Sequence, residues 1–189
     1  MAMSEQSVVL VVDDEPAIAE TYAEYLDADY AVRTAFSGEN ALAELDATVD
    51  VVLLDRRMPD LVGDEVLESI REGGLDARVA MVTAVDADFD IVDMEFDDYL
   101  VKPVSEAQLR ETVDRLLRYA EYERKLREFY RVSRTHAALE SAKSQAELEN
   151  SDEFQRLETR RTELRAALAS ATGDLADEDF EALFRDLGV

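Results

Sequence analysis

Five short, largely β-branched apolar runs recur near residues 8–12, 31–35, 51–54, 77–82 and 98–101, with amphipathic segments between them. Unbroken apolar runs suit strands buried on both faces, and their alternation with helix-like segments predicts an α/β fold with a parallel sheet covered on both sides. Four of the runs are followed at once by polar residues: Asp13 and Asp14, then Asp55, then Thr83, then Lys102 with Pro103. If the strands are ordered 2-1-3-4-5, the first and third are neighbours at the topological switch point, and these residues meet at one edge of the sheet.

Three carboxylates brought that close repel one another, and a shared proton or a divalent cation relieves the repulsion. Oxygen ligands without cysteine or a histidine cluster favour Mg²⁺ or Mn²⁺ over zinc. A hydroxyl from Thr83 and an ammonium from Lys102 are the groups a phosphoryl oxygen needs. Asp55 is the single acid at the end of the central strand, so it is the candidate nucleophile and phosphoacceptor, with Asp13 and Asp14 as a ligand pair. Solvated loop aspartates on a very acidic protein are the plainer reading of any one of them alone.

Composition narrows the alternatives. The chain has no cysteine and one histidine among 189 residues, which excludes disulfides and thiolate metal sites and leaves carboxylates and hydroxyls to carry chemistry. The run at 8–12 is too short to span a bilayer and no leader pattern precedes it, so a cytoplasmic location is expected. Net charge is −25 and uneven: residues 1–120 hold 9 basic against 29 acidic residues, and 121–189 hold 11 against 16. Only Lys102, Lys125 and Lys143 are lysine. An acid-rich, lysine-poor surface suits concentrated salt, where a Debye length of about 3 Å at 1 M screens self-repulsion. An acidic mesophilic protein is the alternative.

The segments V-V-D-D-E-P, L-L-D-R-R-M-P-D-L-V-G-D, M-V-T-A and D-D-Y-L-V-K-P resemble the receiver domain of two-component response regulators over residues 7 to about 120. The resemblance implies a flavodoxin-like (βα)₅ fold and phosphotransfer to Asp55 from the phosphohistidine of a cognate histidine kinase. It also implies Mg²⁺ held by Asp14, Asp55 and the backbone carbonyl of Arg57, with Asp13 acting through water. A cis Lys102–Pro103 peptide bond and a switch pair of Thr83 and Tyr99 follow from the same likeness. Two departures stand out. Glu95 occupies a place where such receivers carry glycine, and a left-handed backbone there costs about 1 to 2 kcal/mol. Arg57 and Val85 lie two residues beyond Asp55 and Thr83, where the family tunes the lifetime of the phosphoaspartate; the Arg57 side chain either reaches the phosphoryl group or pairs with surface acids.

Helices are expected at 16–27, 38–45, 63–71 and 88–94, and a fifth opens at Ser105 with Gln108 as its capping partner. Neither glycine nor proline follows Pro103 until Gly173, so the fifth helix can run to Glu149, 45 residues and about 67 Å. Asn150 is the expected cap of the next helix, with Glu153 at its third position. There Phe154, Leu157, Leu164, Leu168, Ala171 and Leu175 form a coiled-coil-like seam that Arg161 interrupts. A short helix bearing Phe180, Leu183, Phe184 and Leu187 would close the chain. The domains expected are therefore a receiver at 1–120 and an all-α helical hairpin module at 121–189. With R-E-F-Y-R-V-S-R-T-H, this second part resembles the HalX-type domain of haloarchaeal receiver proteins, which implies an output in transcriptional regulation.

His136 is read as a plain surface histidine rather than a relay phosphohistidine. Residues 110–134 hold eight basic and five acidic residues, a local reversal of sign that touches DNA phosphates or merely carries pairs such as Glu121–Lys125 and Glu123–Arg127. Two outputs stay open at this point: a phosphorylation-switched transcriptional regulator, or a signalling adaptor whose helices dimerise or dock another protein. An enzyme with its own substrate is not expected. The salt reading has a direct consequence: the melting temperature should climb between low and molar KCl, and a flat response would remove it.

Overall fold

The computed structural model describes residues 6–84 and 88–174. Val85, Leu175 and the expected terminal helix at 180–187 lie outside the described residues. The chain divides into two units, Met1–Arg118 and Tyr119–Val189.

In the first unit, strands β1 (Val8–Val12), β2 (Ala31–Ala35), β3 (Val49–Leu54), β4 (Arg78–Thr83) and β5 (Asp98–Val101) form a parallel sheet ordered β2-β1-β3-β4-β5. β1, β3 and β4 are the buried centre, which accounts for their unbroken apolar character. Leu10, Val12, Val52, Leu54 and Met81 from the sheet pack with Val66, Leu67 and Ile70 of helix α3 (Gly63–Glu72). Helices α1 (Pro16–Leu26) and α2 (Gly38–Glu44) complete the alternation, the latter capped by Ser37, whose hydroxyl accepts the Asn40 N–H at 3.1 Å.

The segment expected to form a helix at 88–94 forms only a 3₁₀ turn, Phe89–Ile91. Asp88 turns its carboxylate onto the Phe89 N–H at 2.7 Å, a local bond that competes with helix. No residue of the turn is buried, and Phe89 is 91% exposed, so no packing offsets a weak propensity. The left-handed backbone considered for Glu95 is also absent: no described non-glycine residue has positive φ. Arg71 holds that stretch instead, donating to the carbonyls of Glu95 (2.8 Å) and Ala77 (2.9 Å) and to Asp97 (2.9 Å). Asp97 also accepts from Arg78 and from the Val79 N–H, so one buried carboxylate joins three neighbours.

Helix α4 (Glu106–Ala142) begins in the first unit, where Gln108 Oε1 accepts from the Ser105 N–H and hydroxyl as the sequence predicts, and ends in the second. It stops before the expected Glu149. Ser144 and Glu147 form a reciprocal capping box that starts a separate short helix, α5 (Gln145–Glu149), and this polar cap wins where no glycine or proline was needed. Helix α6 (Asp152–Asp174) is capped by Ser151 rather than Asn150: its hydroxyl accepts the Phe154 N–H, while the Asn150 amide donates back to Ala146.

In the second unit Phe154, Leu164 and Leu168 of the predicted seam are buried within the chain, alongside Val132 of α4 and Leu148 of α5. His136 corrects the sequence reading. It is 2% exposed, its ring centroid lies 4.8 Å from that of Phe154, and its Nδ1 faces Arg161 (2.8 Å) and Glu140 (3.1 Å). Its polar sequence neighbours point elsewhere on the helix, and the arginine that interrupts the seam is the group that meets it. Among the described residues the buried Nε2 has no hydrogen-bond partner, a cost of about 1 to 3 kcal/mol. His136→Leu should therefore melt at or above the wild type, and His136→Ala below it by about 2 kcal/mol. A leucine variant less stable than the alanine variant would show that the ring's polarity holds the helices together.

Candidate functional site

The carboxylates at the ends of β1 and β3 converge. Asp55 donates its backbone N–H to the Val12 carbonyl at 2.9 Å, so the pairing of the two strands carries directly into the loops that follow. One carboxylate oxygen from each of Asp13, Asp14 and Asp55 lies within 4.8 Å of the others. Asp13 and Asp55 are buried at 2% and 6% exposure, and Asp14 is half-buried.

Lys102, at the end of β5, reaches across to both buried acids, its Nζ donating to Asp13 Oδ2 and Asp55 Oδ2 at 2.5 Å each. Its backbone N–H is held by the Thr83 carbonyl at 2.8 Å, which ties the ends of β4 and β5 together. The Lys102–Pro103 peptide bond is cis. The remaining carboxylate oxygens take backbone donors: Asp13 Oδ1 accepts the Glu15 N–H at 3.0 Å, and Asp55 Oδ1 the Arg57 N–H at 3.1 Å.

Burial pushes the Asp13 carboxyl up, by more than Lys102 holds it down. The same burial would lower the Lys102 ammonium, but its hydrogen bonds to Asp13 and Asp55 outweigh it and raise the group instead. Lys102 therefore stays charged at neutral pH, and one cation is shared between two buried acids with a third close by. That surplus of negative oxygen suits a small hard cation.

Thr83 is fully buried at the end of β4. Met81 pairs with Tyr99 and Thr83 with Val101, so Thr83 and Tyr99 lie on one face of the sheet, one pair apart. Tyr99 is half-buried against the core, with its ring 5.6 Å from that of Phe96. The site thus gathers Asp13, Asp14, Asp55 and Lys102, with Thr83 beside them, and leaves Tyr99 one step back along its strand.

Two supports were missed by the sequence reading. Arg56, next to the candidate acceptor, binds Asp64 at the start of α3 (3.0 Å) and Asp90 in the 3₁₀ turn (2.7 Å), and its bonds to Asp64 and then Asp90 raise the guanidinium further. The doubled arginine was visible, but its distant partners were not. Gly63 brings α3 hard against the loop that follows β3: a Cβ there would lie 2.3 Å from the Asp55 carbonyl oxygen and 2.8 Å from Arg56 Cα. Arg57, by contrast, is exposed, and its guanidinium makes no ion pair among the described residues.

Comparison with known proteins agrees with this geometry. Residues 9–114 match the response regulator receiver domain and residues 118–184 the HalX domain. A candidate transcriptional regulator of Haloferax volcanii is 52% identical over 174 residues, 90% of this chain and 30% of that protein. The alkaline phosphatase synthesis transcriptional regulatory protein PhoP of Bacillus subtilis is 36% identical over 118 residues, 60% of this chain and 49% of that protein. The chain thus spans half or less of the length of these relatives. Among solved structures, a receiver domain protein from Methanospirillum hungatei superposes with a TM-score of 0.59 at 27% identity, covering 62% of this chain and 98% of that one. The response regulator TrrA of Thermotoga maritima, solved with Mg²⁺ and a beryllium fluoride, has a TM-score of 0.51 at 35% identity, over 59% of this chain and 99% of that one. The chain belongs to the response regulator receiver family, with a HalX domain following its receiver.

Proposed function

We propose that this chain is switched by phosphorylation of Asp55 and passes that state to its helical part in the control of transcription. The observation that carries the reading is the buried Asp55 carboxylate, bonded to Lys102 at 2.5 Å and flanked by the Asp13 and Asp14 carboxylates. In the step proposed, a carboxylate oxygen of Asp55 attacks the phosphorus of a phosphohistidine on a separate histidine kinase. The P–N bond breaks, the imidazole leaves, and an acyl phosphate forms on Asp55.

Lys102 neutralises part of the charge that gathers on the transferring oxygens, and the Arg57 N–H orients the acceptor through Oδ1. Asp14, Asp55 and the Arg57 carbonyl would hold Mg²⁺, with Asp13 linked through water, and the metal would supply the rest of that neutralisation. Thr83 then turns its hydroxyl to the phosphoryl group, and Tyr99 moves inward along the face it shares with Thr83. The relatives that carry transcriptional names, the H. volcanii protein among them, support the output side. Among the described residues no helix is long and apolar enough to cross a membrane. Of the seam that an adaptor would use to dimerise, Phe154, Leu164 and Leu168 are buried within the chain while Leu157 and Ala171 are half-buried, which leaves less of it to offer a partner.

Asp55→Asn should take up no phosphoryl group from acetyl phosphate and Mg²⁺, as read by intact mass, whereas the wild type does; labelling that persists would move the acceptor elsewhere. Mg²⁺ alone should raise the melting temperature at constant KCl, by the equivalent of about 2.7 kcal/mol at a hundred times its dissociation constant. Asp14→Asn should lose that gain while melting at or above the metal-free wild type, since it removes a repelling charge. No response of the wild type to Mg²⁺ would sink the metal assignment.

A further inference from the structure

The structure carries an arginine stripe in its second unit that no part of the receiver mechanism uses. Arg124, Arg127, Arg131 and Arg134 of α4 are all exposed and follow one another at steps of three, four and three residues. At 3.6 residues per turn they fall within an arc of about 80° and span about 15 Å. The buried positions of the same stretch, Val132 and His136, lie on the other side of the helix.

In a chain with 45 acidic and 20 basic residues, such arginines ordinarily find carboxylates. Arg127 does, at Glu123 (3.0 Å). The guanidinium groups of Arg124, Arg131 and Arg134 form no ion pair or side-chain hydrogen bond among the described residues. Glu128 is the natural partner of two of them, four residues after Arg124 and three before Arg131. Arg160 of α6 has taken it, binding both carboxylate oxygens at 2.8 Å. A base from the neighbouring helix thus takes both oxygens of this acid, which is held low first by Arg160 and more weakly, through space, by Arg131 and Arg124.

We propose that this stripe is a docking surface for the phosphate backbone of a DNA duplex. The proposal rests on the transcriptional reading above and names the surface through which it acts. Three guanidinium groups without an ion pair, spread over about 15 Å, face a strand that carries a phosphate about every 3.4 Å along its axis, and the planar arginine fork suits phosphate oxygens. The flanking Tyr130, 59% exposed, adds a hydroxyl donor of the kind that bonds backbone oxygens. A protein partner would call for an apolar centre with a polar rim, and the arc of the stripe contains no apolar anchor.

The test is binding of the full chain to a short labelled DNA duplex of mixed sequence, by anisotropy, across the KCl range in which the protein stays folded. It is run with and without acetyl phosphate and Mg²⁺. The variant Arg124→Gln/Arg131→Gln/Arg134→Gln should bind at least about tenfold more weakly at the lowest salt. Its slope of log affinity against log salt should be flatter by about 0.9 for each lost phosphate contact. Arg156→Gln/Arg165→Gln on α6, also a loss of exposed positive charge, should keep both the affinity and the slope of the wild type. Equal binding by the triple variant, with its helix content and melting temperature unchanged, overturns the stripe and leaves a DNA-binding regulator that uses another surface. No binding by the wild type in either state overturns the stripe and the DNA reading together, while phosphorylation of Asp55, measured separately by mass, stands. Displacement of bound DNA by poly-glutamate at equal charge concentration would overturn the preference for phosphate and point to an acidic protein.

Discussion

A single ammonium shared between two buried carboxylates is the constraint on which the receiver is built. Asp13 and Asp55 could not be placed side by side at the sheet edge without compensation, since an uncompensated buried charge costs several kcal/mol. Lys102 supplies it from β5, two strands away from Asp55 and three from Asp13, and so couples strands that are not neighbours. The sheet order makes this reach feasible, and the reach in turn makes the order matter. A different register at β4–β5 would withdraw the lysine and leave the acids facing each other.

Around that pair, arginines fasten the loops that the sheet cannot. Arg56 joins the acceptor loop to the start of α3 and to the 3₁₀ turn, and Arg71 with Arg78 closes on Asp97 at the approach to β5. The first of these clamps touches the residue next to Asp55, and the second steadies the strand that carries Tyr99 and Lys102. Asp55 is thus linked to the exposed 3₁₀ turn through its neighbour Arg56 and to the end of β5 through Lys102. The turn buries none of its side chains.

The strands and the site were legible because buried parallel strands leave unbroken apolar runs, and the residue after each run sits at a fixed edge. Asp13, Asp14, Asp55 and Lys102 could be brought together from that rule alone. What the sequence hid depends on partners far away or on competition between polar bonds. The break before Ser144 needed the balance between a capping box and continued helix, and the turn at 89–91 needed knowledge that none of its residues is buried. His136 looked exposed because its neighbours are polar, yet its face of α4 is set by Val132 four residues earlier and by Phe154 across the gap. Glu95 looked strained, since only the Arg71 bonds reveal how that stretch is held without a left-handed residue.

With more than two acids for every base, each arginine's choice of partner carries information. Most of those in the receiver are committed: Arg33 to Asp46, Arg56 to Asp64 and Asp90, Arg71 and Arg78 to Asp97, Arg115 to Asp98. Arg57 forms no ion pair among the described residues, and it stands exposed two residues from the proposed acceptor. Nor do Arg124, Arg131 and Arg134 of α4 form an ion pair among the described residues, and there a second helix's arginine binds both carboxylate oxygens of Glu128. A carboxylate and a phosphate compete for the same guanidinium face, so an arginine without an ion pair beside a proposed phosphate site keeps that face open. In this chain that condition recurs at both places where a phosphate is proposed to arrive, the acceptor loop and the exposed face of α4.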